Sequence, residues 1–197
     1  ELYGEQKQIH GFRMTDAGKS FQVFLYGRGG SKDKKAATID WLLKETALSV
    51  PGFESCRMWN ESRGTEVRVN EVSFFDRTEI AFHASQVFPI LWKNNVRYGD
   101  FSSQNFLWTS QDVPRFFIVD ADTIRQQGEE GVHSPDWQPH PSLRQSIEAD
   151  RSLAALLIWR ILRQDLHAEP SVEDSMNMAR EVPDQFYLDL ISLYTTG

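Results

Sequence analysis

The sequence predicts an α+β fold, mainly helical with short β-hairpins. Three observations lead there. Residues 77 to 94 and residues 146 to 162 carry apolar side chains at helical spacing. Residues 106 to 119 set two short apolar runs, Phe106 to Trp108 and Phe116 to Val119, either side of the polar turn SQDVPR, which is the pattern of a hairpin. Residues 1 to 14 repeat that pattern more weakly, with a polar GEQKQ between two apolar patches and GFRM as the second strand.

Taken in order, residues 18 to 38 include GRGGSKDKK. Glycines beside lysines invite a phosphate-loop reading, but the spacing G-x-x-x-x-G-K-[ST] is absent and a flexible, solvated loop is expected instead. Ile39, Leu42, Leu43 and Ala47 give residues 39 to 50 a helical face. Residues 51 to 70 are mixed, with Gly52 and Gly64, and read as irregular or as a small hairpin; Phe53 and Trp59 are packing residues there. Asp76-Arg77-Thr78-Glu79 has the form of a capping box, so a helix is expected from about residue 77 to Asn94. Its apolar face is Ile80, Ala84, Val87, Phe88 and Leu91, with His83 packed close to it, and Pro89 should kink or loosen its end. Leu153, Leu156, Leu157, Trp159, Ile161 and Leu162 cover most faces of SIEADRSLAALLIWRIL, the mark of a central buried helix. Asp150 near its start is an acid favoured by the helix dipole. Ser171 to Asp174 offers a further cap, Pro183 a break, and QFYLDLISLY a last amphipathic helix.

The chemistry concentrates between Asn95 and Arg125. Asp100 and Asn105 lie on a loop after a helix, and the hairpin delivers Asp120 back beside them. Two carboxylates and an amide suit metal-assisted phosphoryl transfer. One carboxylate orients or deprotonates an attacking hydroxyl, while the other and the amide oxygen supply the hard donors that magnesium prefers.

YGDFSSQN, residues 98 to 105, resembles the catalytic loop of the protein-kinase superfamily, H-R-D-L-x-x-x-N, and VDAD resembles the D-F-G that follows it. SPDWQPHP, residues 134 to 141, looks like the end of a kinase activation segment, and RQDLHAEP like the exit of the buried helix of bacterial kinases. The resemblance covers roughly residues 9 to 194, most specifically 76 to 167, and is nearest to atypical bacterial serine/threonine kinase-like domains with G-D-x-x-x-x-N and I-D-x-D motifs. It implies a kinase C-lobe over residues 18 to 197, preceded by an N-lobe hairpin stub and hinge at residues 1 to 17. Asp100 matches the catalytic base, Asn105 and Asp120 the magnesium ligands, and Asp122 the second aspartate of I-D-x-D. Asp150 matches the aspartate that braces the catalytic loop through its backbone. Met14, Thr15, Asp16 and Ala17 would border the adenine. The implied cofactors are ATP and Mg2+, and the implied substrate is a protein.

The departures from the pattern matter as much. Tyr98-Gly99 replaces His-Arg, which removes the usual partner of a phosphorylated activation loop. Ser102 replaces a lysine, Ala121 the phenylalanine of D-F-G, and Pro141 the glutamate of A-P-E. Thirteen residues before Met14 cannot hold the glycine-rich loop, strand lysine and helix glutamate of a complete kinase. A removed N-lobe or a companion protein would have to supply them, and the chain begins at Glu1 without an initiator methionine, as a processed product or a fragment does. Weak nucleotide affinity and little transfer in isolation are expected. Two alternatives stand beside this reading: a pseudokinase that binds or scaffolds, and a small-molecule kinase of the aminoglycoside or choline phosphotransferase type.

The totals exclude other classes. A length of 197 residues fits one domain with a full core. A net charge of −7 without a basic face argues against nucleic acid, and no apolar run is long enough to span a bilayer. The single cysteine, Cys56, forbids an intrachain disulfide and favours a cytoplasmic setting. His133 and His140 form no metal motif, and no G-x-S-x-G supports a hydrolase.

Overall fold

A computed structural model of the chain describes residues 21–43, 53–60, 63–109, 114–120, 122–129, 131–132, 134–139, 144 and 146–169. The expected stub and hinge at 1 to 17, with Met14, Thr15, Asp16 and Ala17, lie outside the described residues. So do Ala121, His133, His140, Pro141 and the helices expected after residue 170.

The described chain is mixed α and β, with more sheet than the sequence led us to expect. Strands β1 (Gln22–Gly27), β2 (Lys32–Ala36), β3 (Phe53–Asn60) and β4 (Thr65–Arg68) form one antiparallel sheet in the order β2-β1-β3-β4. Helix α1 (Ile39–Leu43) follows β2, and α2 (Phe74–Trp92) follows β4. Three strand pieces, β5 (Val96–Arg97), β6 (Phe106–Trp108) and β7 (Phe116–Ile118), then lead to β8 (Arg125–Gln126) and to α3 (Ile147–Arg163). Strand β5 pairs with β8 and β6 with β7, both antiparallel.

Over residues 22 to 36, the solvated loop expected at 18 to 38 is therefore corrected to a hairpin. Its apolar part is the run Val23, Phe24 and Leu25, all three buried. Val23 and Leu25 are buried and sit opposite Met58 and Cys56 of β3. KDKKA forms the edge strand β2, where lysines are a normal means of blocking further pairing. Gly29 and Gly30, at φ +77° and +83°, make the turn that only glycine adopts without strain. On the sheet's other face Lys32 pairs with Glu66 at 2.9 Å and lies over the rings of Phe24 and Tyr26. Of the two readings for residues 51 to 70, the hairpin is the one observed.

Cys56 is buried on the core face of this sheet, and burial pushes its thiol from an ordinary 9.0 up to about 12. Because the thiolate is the nucleophile, Cys56 is expected to resist an aromatic disulfide reagent at pH 8 in the native chain and to react completely in denaturant. A raised folded value means that burial of the neutral thiol contributes stability below about pH 9, and that this contribution is lost as pH climbs towards 12.

Helix α2 starts three residues before the expected position. Ser73 is its N-cap, accepting from the Asp76 backbone N–H at 3.1 Å, and its hydroxyl donates to the Asp76 carboxylate at 2.8 Å. Asp76 is thus the third helical residue, bonded to the cap, rather than the cap itself. Ile80, Ala81, Ala84 and Phe88 are buried, and the helix runs through Pro89 to Trp92. Phe75, Phe82 and Ile90 lie on its exposed side. Helix α3 is buried along nearly its whole length, capped by Ser146 and closed by Gln164 in the left-handed region. It packs on α2, and Arg77 of α2 donates to the Leu162 carbonyl at 2.6 Å.

Candidate active site

The loop between β5 and β6 is shaped by where its aromatic side chains go. Tyr98, Phe101 and Phe106 are fully buried and surround Phe88 of α2, with Phe88 to Phe101 and Phe106 ring distances of 5.1 and 5.8 Å. Tyr98 lies 5.6 Å from Phe101 and 5.4 Å from Phe106, and Phe116 of β7 completes the group. Fixing these three rings below leaves Asp100, Ser102 and Asn105 only partly buried above them.

Asn105 ties the loop to itself. Its side-chain N–H groups donate to the Asp100 backbone oxygen at 3.2 Å and to the Asp100 carboxylate at 3.1 Å. Its own amide oxygen is thereby left as an acceptor or ligand. The Asn105 carbonyl accepts from the Val119 N–H at 3.1 Å, which brings the chain just before Asp120 against the loop. Asp120 Oδ1 accepts from the Asp122 N–H at 3.2 Å, and the Thr123 hydroxyl donates to the Asp120 carbonyl at 3.2 Å. The Tyr98 hydroxyl, with Thr123 and Asn105 beside it, is held well above its ordinary pKa by burial and by the charges of Asp120 and Asp100. Asp122 is exposed, and its described contacts are backbone ones: its N–H turns to Asp120, and its carbonyl takes Arg125 Nη1 at 2.7 Å.

Asp150 comes from the first turn of α3 and is fully buried. It accepts a hydrogen bond from the Tyr98 backbone N–H and pairs with Arg97 at 3.4 Å. Burial raises its carboxyl above the ordinary range, opposed by the Tyr98 amide and by Arg97. The structure thus brings together Asp100, Asn105, Asp120 and Asp150, four residues singled out in the sequence, around one loop.

Gly99 is required where it stands. Its φ is +81°, and a Cβ there would lie 2.8 Å from the Thr123 carbonyl oxygen. Gly131 packs on its other side, where a Cβ would lie 2.2 Å from the Gly99 oxygen.

Two features escaped sequence reasoning. One is the segment from Ala37 to Asp40, which lies along the site. The Trp108 N–H donates to the Ala37 carbonyl at 3.0 Å, Thr38 bridges to Leu107, and Ser103 and Asp40 exchange two hydrogen bonds of 2.7 and 3.0 Å. The other is the pair of buried arginines, Arg97 and Arg160. Arg160 Nη1 donates to the Asp136 carbonyl at 2.7 Å, and its guanidinium lies 4.4 Å over Trp137. The available signal was an arginine set among apolar neighbours in a short strand and in a buried helix.

Among the described residues no three His, Cys, Asp or Glu side chains gather as a cation cage. The Asp120 carboxylate and the Asn105 amide oxygen remain hard donors of the kind that hold magnesium through one or two protein ligands, water and phosphate. No helix of the described chain is long and apolar enough to cross a membrane.

No protein-family model matches the chain, and no curated protein matches it. Among solved structures it is similar to the ROP18 kinase domain in complex with AMP-PNP and sucrose, at 19% identity and a TM-score of 0.47. The match covers 64% of this chain and 38% of that one, so the chain spans well under half the length of that structure.

Proposed function

We propose that this chain carries the phosphoryl-transfer face of a protein-kinase-like enzyme that uses ATP and Mg2+, of the bacterial serine/threonine type, with a protein hydroxyl as acceptor. The observation that carries this reading is the bonding of Asn105 to Asp100 on one loop braced by Asp150, with Val119, the neighbour of Asp120, tied to the Asn105 carbonyl. Asp100 orients the acceptor hydroxyl and takes its proton. Asn105 fixes the Asp100 carboxylate and, with Asp120, supplies the oxygens for magnesium. The bound magnesium and ATP would supply a phosphoryl group whose charge is already partly neutralised. A lysine for the phosphates belongs to an N-lobe or companion protein.

A second reading, a kinase-like module that binds without transferring, has two observations in its favour. Lys32 and Lys35 of the sheet are engaged by Glu66 and Asp33, each at 2.9 Å. The hairpin face beside the site is already covered, with Phe21 against Phe117 at 5.1 Å and Thr38 bridging to Leu107.

Calorimetric titration with ATP, with and without magnesium, separates the readings. Phosphotransfer predicts magnesium-dependent binding that Asp120→Asn weakens by at least roughly tenfold, the scale on which even outer partners of a metal ligand act. Binding that ignores magnesium and Asp120→Asn favours the second reading. With the upstream partner supplied, loss of transfer in Asp100→Asn at unchanged binding assigns the base, and transfer to aminoglycoside or choline rather than protein identifies a small-molecule kinase.

A further inference from the structure

Arg97 stands immediately before the loop and is fully buried. Its guanidinium pairs with Asp150 at 3.4 Å and donates to two carbonyls far apart in sequence, Arg144 at 2.7 Å and Glu129 at 3.3 Å. Gly131 passes so close that a Cβ there would lie 3.0 Å from Arg97 Nη2. Asp150, the anion of the pair, accepts from the Tyr98 N–H on the loop itself. A guanidinium is planar and always charged, and here Nη1 donates to both carbonyls while Nε faces the Asp150 carboxylate. The carbonyls it holds belong to the segment downstream of Asp120, and through Asp150 it holds the loop that carries Asp100.

We propose that Arg97 is a positioning residue for Asp100. It joins the loop to the downstream segment through one internal cation, so that the site is assembled without a phosphate or any other added charge. Position 99, beside the aspartate, is a buried glycine and supplies no charge. Arg97 carries its charge two residues before Gly99 and is fully buried. The inference rests on the phosphotransfer reading for the meaning of Asp100, but its test does not.

That test is hydrogen–deuterium exchange on the full chain, with and without phosphatase treatment. Phosphatase is expected to leave the amides of Gly99, Glu129 and Val132 as protected as before. Arg97→Met should speed their exchange about 100-fold, as expected for a broken buried pair, and speed Ile80 to Phe88 of α2 by at least about tenfold less. Arg97→Lys keeps the charge without the fork and should fall between. Arg160→Met should loosen Trp137 and leave Gly99 alone. The proposal is overturned if Arg97→Met exchanges like the parent, if it loosens α2 and α3 equally, or if phosphatase alone releases Gly99. Should Arg97→Met not fold, Arg97→Lys decides by the same criteria. Failure of ATP to bind in the calorimetric titration leaves this readout intact, and failure here leaves that titration intact.

Discussion

Asp150→Ala is expected to destabilise the chain by about 3–5 kcal/mol in urea unfolding, because it leaves the Arg97 cation buried without its anion. The same substitution removes the acceptor for the Tyr98 N–H, so the loop loses its brace as well as the core its charge balance. Replacing both partners, Arg97→Met with Asp150→Leu, should recover most of that loss, since desolvation of a buried pair offsets much of its attraction. The pH dependence follows from the sign. Burial holds the folded Asp150 carboxyl above its unfolded 3.8. Its contribution is therefore fully present below that value and declines as pH rises through the higher folded one. A double variant that unfolds as readily as Asp150→Ala alone would show that the pair holds the loop by contacts other than charge.

Phe88→Ala should cost about 3–5 kcal/mol, the range for emptying a buried aromatic site. The ring is fully buried in α2 and touches the rings of Phe101, Phe106, Phe116 and Tyr98. Three of those four belong to the loop or the strand next to it, so the cavity would open directly beneath Asp100 and Asn105. Phe88→Leu keeps most of the volume and should cost less, which thermal melts of the two variants can compare. If Phe88→Ala unfolds at the parent temperature, the aromatic floor is not what supports the loop.

The site was more legible in the sequence than the sheet was. Asp100, Asn105 and Asp120 are separated by a short loop and a strongly apolar hairpin, and local pattern is enough to bring them together. The long buried helix around Asp150 is equally plain, because thirteen of its seventeen residues are buried. Strands β1 and β2 were hidden by composition: an edge strand written KDKKA has the charges of a loop, and its order comes from pairing with β1 rather than from burial of its own side chains. The cap of α2 moved from Asp76 to Ser73 because both residues can play the part and tertiary context selects between them. Arg97 could not be read as buried from its residue type, since its burial depends on Asp150 from another element.

The close stacking of Thr123, Gly99 and Gly131 has a mechanical consequence. Three backbone segments meet there with too little space for a methyl group at either glycine. A ligand that drew Asp100 outward would have to drag its neighbours on both sides, so displacement at the loop is felt at residues 123 and 131 together. Close packing of this kind ties the backbone beside Asp100 to the segments at Thr123 and Gly131.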